Sequence, residues 1–514
     1  MLAWTIYISF LAALLLLLLP KNSAAAARLL ALLAAIAGFA IALTSFIQHR
    51  TGELLTITRI PWIPSLGIEY HLAADGISLC LVLLTGIVAI AGILFSWNIE
   101  HRTKEFFAFY LLLIGSVYGV FLSYDLFLLF VFYEIVIIPK YFLIAIWGST
   151  RKEYGAMKLA LYSFVGSAMV LVGLIAAYVA SGIHTMSLTG LPQAHFSPHF
   201  QLIAFPLVFI GFAILAGLWP FHTWAPTGHV AAPTAASMLL AGVVMKLGAY
   251  GCLRVAMTIF PLGLSPWGFH ILGLGSWRDV FAILAIIGII YGASVALVQK
   301  DFKFVIGYSS VSHMGFILLG LMTLNQIGLS GAIIQMFSHG ILAGLLFATV
   351  GRMVYDRTHT RDLNALGPMN LNKAIPFAAI TFVIAGMASM GLPGFSGFVA
   401  ELMILIGAWR AFPILALCVG LGILIGIVYV WRAMQKAFFA DSTPNDAVLH
   451  SEESGHHIPA TEALPPITVP ERLGAILLIA TSITIGLYPQ LLLKLIVPAL
   501  NSPLFDGIRR GSWQ

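Results

Sequence analysis

The sequence predicts an all-α polytopic membrane protein, and three observations carry that reading. Of the 514 residues, 60% are hydrophobic and only 9% charged, with a mean hydropathy of +0.99. A water-soluble core cannot use that much apolar surface. Hydrophobic runs of roughly 20 residues, enough to cross about 30 Å of hydrocarbon, recur from one end to the other. Charged side chains are nearly absent from these runs, apart from a few that sit close to their centres.

Fourteen runs are expected, near 3–20, 26–47, 76–97, 105–123, 125–147, 156–181, 201–225, 233–256, 278–299, 303–324, 328–353, 375–409, 412–438 and 471–495. The first is followed by Lys21 rather than by a small-residue cleavage site, so it reads as a retained helix. The loop 50–74 carries Pro61, Pro64 and several β-formers and is expected to fold as an external hairpin. The seventh run is interrupted at Gly217-Leu218-Trp219-Pro220 and the twelfth at Gly391-Leu392-Pro393-Gly394. Unwound backbone at membrane depth is tolerated only beside a polar cavity, so paired breaks point to a transporter built from inverted repeats.

The two breaks lie 173 residues apart. In register with them, Tyr162-Ser163-Phe164-Val165-Gly166 resembles Phe337-Ser338-His339-Gly340, about 175 residues on. Runs 4–8 and 9–13 are therefore expected to form two five-helix repeats, inverted because an odd number of crossings reverses topology. The expected organisation is 1–104 for the first three helices, 105–256 and 278–438 for the repeats, 439–470 for a polar cytoplasmic loop, and 471–514 for the last helix and tail.

Lys and Arg on alternate sides of the runs number sixteen on one side and seven on the other. The positive-inside rule places the richer side in the cytoplasm and both termini outside, in a bacterial cytoplasmic (inner) membrane. Lys140, Lys246 and Arg254 fall inside runs and need another account. The net charge of +6 marks topology and not nucleic-acid binding, since no basic face is present. Cys80, Cys252 and Cys418 are too dispersed for an iron–sulfur cluster or zinc, so no redox centre or metal is expected in this chain. His450, Glu452, Glu453, His456 and His457 read as part of a solvated loop rather than a metal site.

Five ionisable residues sit near the middle of runs: Glu134, Lys246, His313, His339 and Glu401. A centred charge costs about 2.5–3.5 kcal/mol even on a lenient insertion scale, so such residues face a protein interior and carry function by default. A row of them reads as a proton path. A buried Glu or Lys shifts its pKa toward neutrality and can both accept and release a proton; Lys246 is the best single carrier. His313 and His339 are either helix–helix glue or a relay, and their equal depth between a lysine and a glutamate favours the relay. Glu401 follows the Pro393 break by eight residues and is the natural terminus. His222 and His229 flank the first break, where they either connect the relay to the cytoplasm or cap unwound backbone. Lys140 stands six residues after Glu134, about 120° round an ideal helix, although Pro139 loosens that geometry.

These motifs resemble a known family. Tyr133-Glu134, Pro139-Lys140-Tyr141-Phe142-Leu143-Ile144, Pro220-Phe221-His222-Thr223-Trp224, Ala232-Pro233-Thr234-Ala235, Tyr308-Ser309-Ser310-Val311-Ser312-His313-Met314-Gly315 and Ser338-His339-Gly340 resemble the antiporter-like subunit M of respiratory complex I, the proton-pumping NADH:quinone oxidoreductase. Asp75-Gly76-Ile77-Ser78, Thr360-Arg361-Asp362 and Gly391-Leu392-Pro393-Gly394-Phe395 extend the resemblance over nearly the whole chain. It implies fourteen helices, a hydrated mid-membrane axis, and proton pumping driven by quinone reduction elsewhere. Flavin, iron–sulfur clusters and quinone are expected in partner subunits, and the antiporter-like L and N types are the expected neighbours. A cation/proton antiporter module, or the membrane subunit of a hydrogenase-type complex, shares the same motifs.

Glu401 matches the glutamate that subunit M carries where its relatives have lysine. One position departs. The family has a lysine five residues before the proline of the first break, paired with the glutamate of the fifth span, and here that position is Leu215. Lys140 is the candidate to supply the lost charge. Within the relay, a proton is expected to reach Lys246 from the cytoplasm and to pass through His313 and then His339 toward Glu401, with Glu134 biasing Lys246.

Overall fold

The computed structural model describes residues 1–20, 23–49, 52–266, 275–440 and 464–512. The expected loop residues His450 to His457 lie outside the described residues. Among the described residues, twelve helices are long and apolar enough to cross a membrane. In chain order they are α2 (Ala24–Gln48), α3 (Gly76–Phe95), α4 (Thr103–Leu122), α5 (Leu126–Trp147), α6 (Lys152–Ser181), α7 (Pro198–Ala231), α8 (Thr234–Ile259), α9 (Trp277–Val298), α10 (Phe302–Met322), α11 (Gln326–Thr358), α13 (Pro413–Phe438) and α14 (Val469–Leu487). Shorter apolar helices occupy two further expected positions. One is α1 (Ala3–Leu18); the other is α12, made of two halves, Pro376–Ser389 and Ser396–Ala411.

Helix starts follow the polar residues that the runs leave at their ends. Asp75, Asp125, Asp301 and Asn325 accept hydrogen bonds from the first free backbone N–H groups of α3, α5, α10 and α11. The loop between α2 and α3 folds as the expected hairpin. Its strands β1 (Leu55–Ile63) and β2 (Ile68–Ala74) pair antiparallel, with Ile63 opposite Ile68 and Leu55 opposite Ala74. Gly67, at a φ of 63°, makes the turn. The hairpin is tied to the bundle where the Tyr124 N–H donates to the His71 carbonyl at 2.9 Å.

The bundle has an inside and an outside, and the sequence pattern follows that division. The spanning parts of α8 and α11 are wholly buried, whereas those of α2 and α13 are 28% buried. α8 and α11 therefore form the centre, with α3 and α10 against them. Both breaks are present. α7 stops at Ala216 and resumes at Trp224, with Gly217 in the left-handed region at a φ of 82°. The indole N–H of Trp224 donates to the Ile214 carbonyl at 2.8 Å, satisfying a group that the break frees. α12 breaks between Ser389 and Ser396, with Gly391 and Gly394 at positive φ.

One expected run is corrected. Residues 471–495 are not one helix: α14 ends at Leu487, and a separate helix, α15 (Gln490–Leu500), follows. Pro489 offers no N–H and holds Tyr488 out of the helical region, at a φ of −133° and ψ of 69°. Hydropathy alone does not register that bend.

Candidate functional site

The centre of the site is set by a place where two helix backbones touch. A Cβ on Gly340 of α11 would lie 2.7 Å from the Gly242 carbonyl oxygen of α8, and one on Gly242 would lie 3.1 Å from the Gly340 carbonyl oxygen. Only residues without side chains allow such an approach. It brings together Lys246, one turn beyond Gly242, and His339, next to Gly340. The Lys246 Nζ lies 2.9 Å from His339 Nδ1, and both side chains are buried. α8 widens to π geometry over Leu240–Val244, and the Lys246 ammonium donates to the Ala241 carbonyl inside that stretch.

From His339 the row continues through His313. The two imidazoles stack with centroids 5.3 Å apart and planes 25° apart. His313 Nδ1 lies 3.3 Å from Glu401 Oε1 and 3.2 Å from the Gln335 amide nitrogen, while its Nε2 lies 3.2 Å from Ser389 Oγ. The break in α12 abuts the carboxylate, since a Cβ on Gly391 would stand 2.9 Å from Glu401 Oε2. A cavity of about 10 Å³ lies among His339, His313, Gln335, Ser389 and Glu401. That is about the room one water molecule needs, with several polar partners around it.

The order of contacts corrects the expected sequence of the two histidines. Lys246 meets His339 first, and His313 stands between His339 and Glu401. The reason is packing: α11 lies against α8, α10 and α12, so its histidine bridges. Equal depth in the sequence does not contain that information.

Glu134 and Lys140 are placed elsewhere. α5 is interrupted at Val136, between the segments Leu126–Ile135 and Ile137–Trp147, and Pro139 lies just after the interruption. Lys140 is buried, and its ammonium donates to Ser163 Oγ of α6 at 2.8 Å. Glu134 is half-buried and feels the charge of Lys140. Leu215 is buried in α7, whose backbone approaches α8 closely at Gly248, two residues beyond Lys246.

The two histidines of the first break part company. The His222 ring packs edge-on to Tyr291 at 5.0 Å within the unwound turn, with neither ring nitrogen hydrogen-bonded. His229 lies one helical segment further, fully buried, and neither of its ring nitrogens has a hydrogen-bond partner. The charges of Lys303 and Lys246 both act on it. The Lys303 ammonium donates to the carbonyls of Val230 at 3.2 Å and Ala232 at 2.6 Å. A cavity of about 320 Å³ reaches Lys303 from the end of the bundle opposite the hairpin, past Arg352 and Asp356. Residues missed in the sequence are thus Gln335, Ser389, Ser163 and Lys303. The first three are uncharged side chains in long spans; Lys303 sits at a span end and reads there as a topology signal.

Comparison with known proteins agrees with this geometry. A family model described as NADH:quinone oxidoreductase/Mrp antiporter, TM matches residues 123–426. NADH-quinone oxidoreductase subunit M of Rickettsia prowazekii is 37% identical over 399 residues, 77% of this chain and 78% of its own length. NAD(P)H-quinone oxidoreductase chain 4 1 of Synechococcus elongatus is 35% identical over 472 residues, 90% of this chain and 83% of its own. In the solved respiratory complex I from Thermus thermophilus with bound NADH, one chain superposes with a TM-score of 0.86 at 26% identity, covering all of both chains. The chain belongs to the NADH:quinone oxidoreductase/Mrp antiporter family, as an antiporter-like subunit of the M type.

Proposed function

We propose that this chain is a proton-translocating membrane-arm subunit of an NADH:quinone oxidoreductase. The observation that carries the proposal is the continuous buried row Lys246, His339, His313 and Glu401. In this reading the chain crosses a bacterial cytoplasmic membrane fourteen times, α1 and the broken α12 included, with both termini outside. α4–α8 and α9–α13 are the two inverted repeats. Partners are other membrane-arm subunits, the antiporter-like L and N types among them. Flavin, iron–sulfur clusters and quinone belong to partner subunits, and this chain contributes no redox step to the enzyme.

A proton enters from the cytoplasm through the cavity at Lys303 and reaches Lys246 by way of His229. The Lys246 ammonium gives it to His339 Nδ1, across a contact already of hydrogen-bond length. The stacked rings do not point nitrogen at nitrogen, so the next transfer passes through a water in the cavity between them. His313 then donates to the Glu401 carboxylate, from which the proton leaves to the outside. Quinone reduction in the partner subunits supplies the free energy, and Lys140 beside Glu134 supplies the charge that Leu215 lacks.

The test is Lys246→Ala in the assembled complex, reading protons moved per electron in sealed vesicles oxidising NADH. Loss of this subunit's share with assembly intact is expected. Unchanged stoichiometry overturns the proposal, and sodium-dependent transport without NADH assigns the chain to the antiporter class instead.

A further inference from the structure

At the hairpin end of the bundle a second ion pair sits where the relay has no use for one. Arg254 of α8 is wholly buried and salt-bridged to Asp75, the residue that opens α3. The Asp75 carboxylate also accepts the N–H groups of Ile77 and Ser78 at 3.0 and 2.9 Å. Three aromatic rings enclose the guanidinium, those of Tyr124, Tyr250 and Phe505, with centroids 5.4–5.5 Å away. Phe505 comes from the C-terminal segment, folded back over the end of α8.

On its far side the pair faces a cavity of about 820 Å³, lined by Asp75, Thr258, His195, Ser502 and Asp506. On its near side lies Lys246. Lys246, Tyr250 and Arg254 are spaced four residues apart and share one face of α8, with Arg254 about 12 Å from Lys246 along the axis. The Tyr250 hydroxyl, between them, is within hydrogen-bond range of Ser78 Oγ at 3.1 Å and the Phe121 carbonyl at 3.2 Å. On that face of α8, Tyr250 and Arg254 come between Lys246 and Thr258, which lines the outer cavity.

We propose that the Arg254–Asp75 pair is an insulating plug that closes an outer half-channel over Lys246. The inference rests on the proton path and sidedness proposed above. A proton wire needs groups that accept as well as donate. Arginine carries five donors and no acceptor and keeps its charge at any working pH, so it cannot pass a proton on. The guanidinium and the two backbone N–H groups all meet Asp75 at Oδ1 and fix that carboxylate beside the arginine. The proton on Lys246 is thereby denied the short way out and has to travel sideways to His339. The same plug keeps outside protons from refilling Lys246 between cycles.

Arg254→Gln tests the plug, because the amide both donates and accepts and leaves room for water. In vesicles carrying the assembled complex without NADH, an imposed pH gradient is expected to collapse several-fold faster than with the native chain; Arg254→Lys, donor-only while charged but able to lose its proton, falls between. A gradient held as tightly by Arg254→Gln overturns the plug. This leak needs no pumping, so it is separate from the Lys246→Ala test: a leak alongside a silent Lys246→Ala removes the relay and keeps the plug. A second measurement leaves Arg254 in place. With Cys80, Cys252 and Cys418 replaced by Ala, Thr258→Cys is expected to react with a membrane-impermeant cationic thiosulfonate added outside, and Ser78→Cys to stay unreactive. Reaction at both positions, or at neither, overturns the plug.

Discussion

The two halves of the molecule treat their buried charges differently. In the second half, Glu401, His313 and His339 touch one another in sequence and reach back to Lys246. In the first half, Glu134 and Lys140 share a helix but not a hydrogen bond: the lysine is held by Ser163 of the next helix, across an interruption in α5. A contiguous row passes a proton by short hops. A pair joined only through space can alter a charge but cannot hand one over. In the proposed reading the row from Lys246 to Glu401 conducts and the Glu134–Lys140 pair controls.

Severing the row is expected to have the largest effect. His339→Ala removes the group that, among the described residues, joins Lys246 to His313. A positioned proton-transfer group is worth roughly 10²–10⁴-fold, so pumping per NADH oxidised, followed by a pH-sensitive dye in vesicles, is expected to vanish within detection. Glu401→Gln comes next. It keeps the shape and removes the acceptor, and a hydrogen bond to a charged group is worth about 1.5–3 kcal/mol, so a drop of about tenfold or more is expected. Native pumping in that variant would mean that the row does not end at Glu401.

Gly340→Ala leaves every titratable group in place. Its Cβ would meet the Gly242 carbonyl oxygen at 2.7 Å, so α8 and α11 must separate and Lys246 must draw away from His339. Pumping is expected to fall several-fold in complex that still assembles, which a blue native gel and the dye assay together would register. The smallest effects belong to the Glu134–Lys140 pair. Lys140→Met is expected to reduce pumping by a few-fold, about what 1 kcal/mol of lost interaction gives, and Leu215→Lys in the same chain to restore it. Failure of Leu215→Lys to restore would separate the two positions and leave Lys140 a structural role with Ser163.

The sequence made much of this legible, for reasons that can be named. The breaks in α7 and α12 follow from glycine and proline in apolar surroundings. The row was visible because a charge in hydrocarbon is costly enough to stand out one residue at a time. Its order was not, because contact between α8 and α11 depends on Gly242 and Gly340, two among 48 glycines. The split between His222 and His229 was equally hidden, since both flank the same break and only the fold shows which one feels the charges of both Lys303 and Lys246. Arg254 was legible as an anomaly and illegible as a plug, because Asp75 and Phe505 lie far from it along the chain.

The contact between Gly242 and Gly340 has a mechanical meaning as well. Two helices resting backbone on backbone cannot move closer, and their neighbours keep them from drifting apart. The gap between Lys246 and His339 is thereby a fixed gauge, like the setting of a spark plug. A stroke that brought the two groups nearer would have to come from rotation of side chains or arrival of water, since the two backbones already touch.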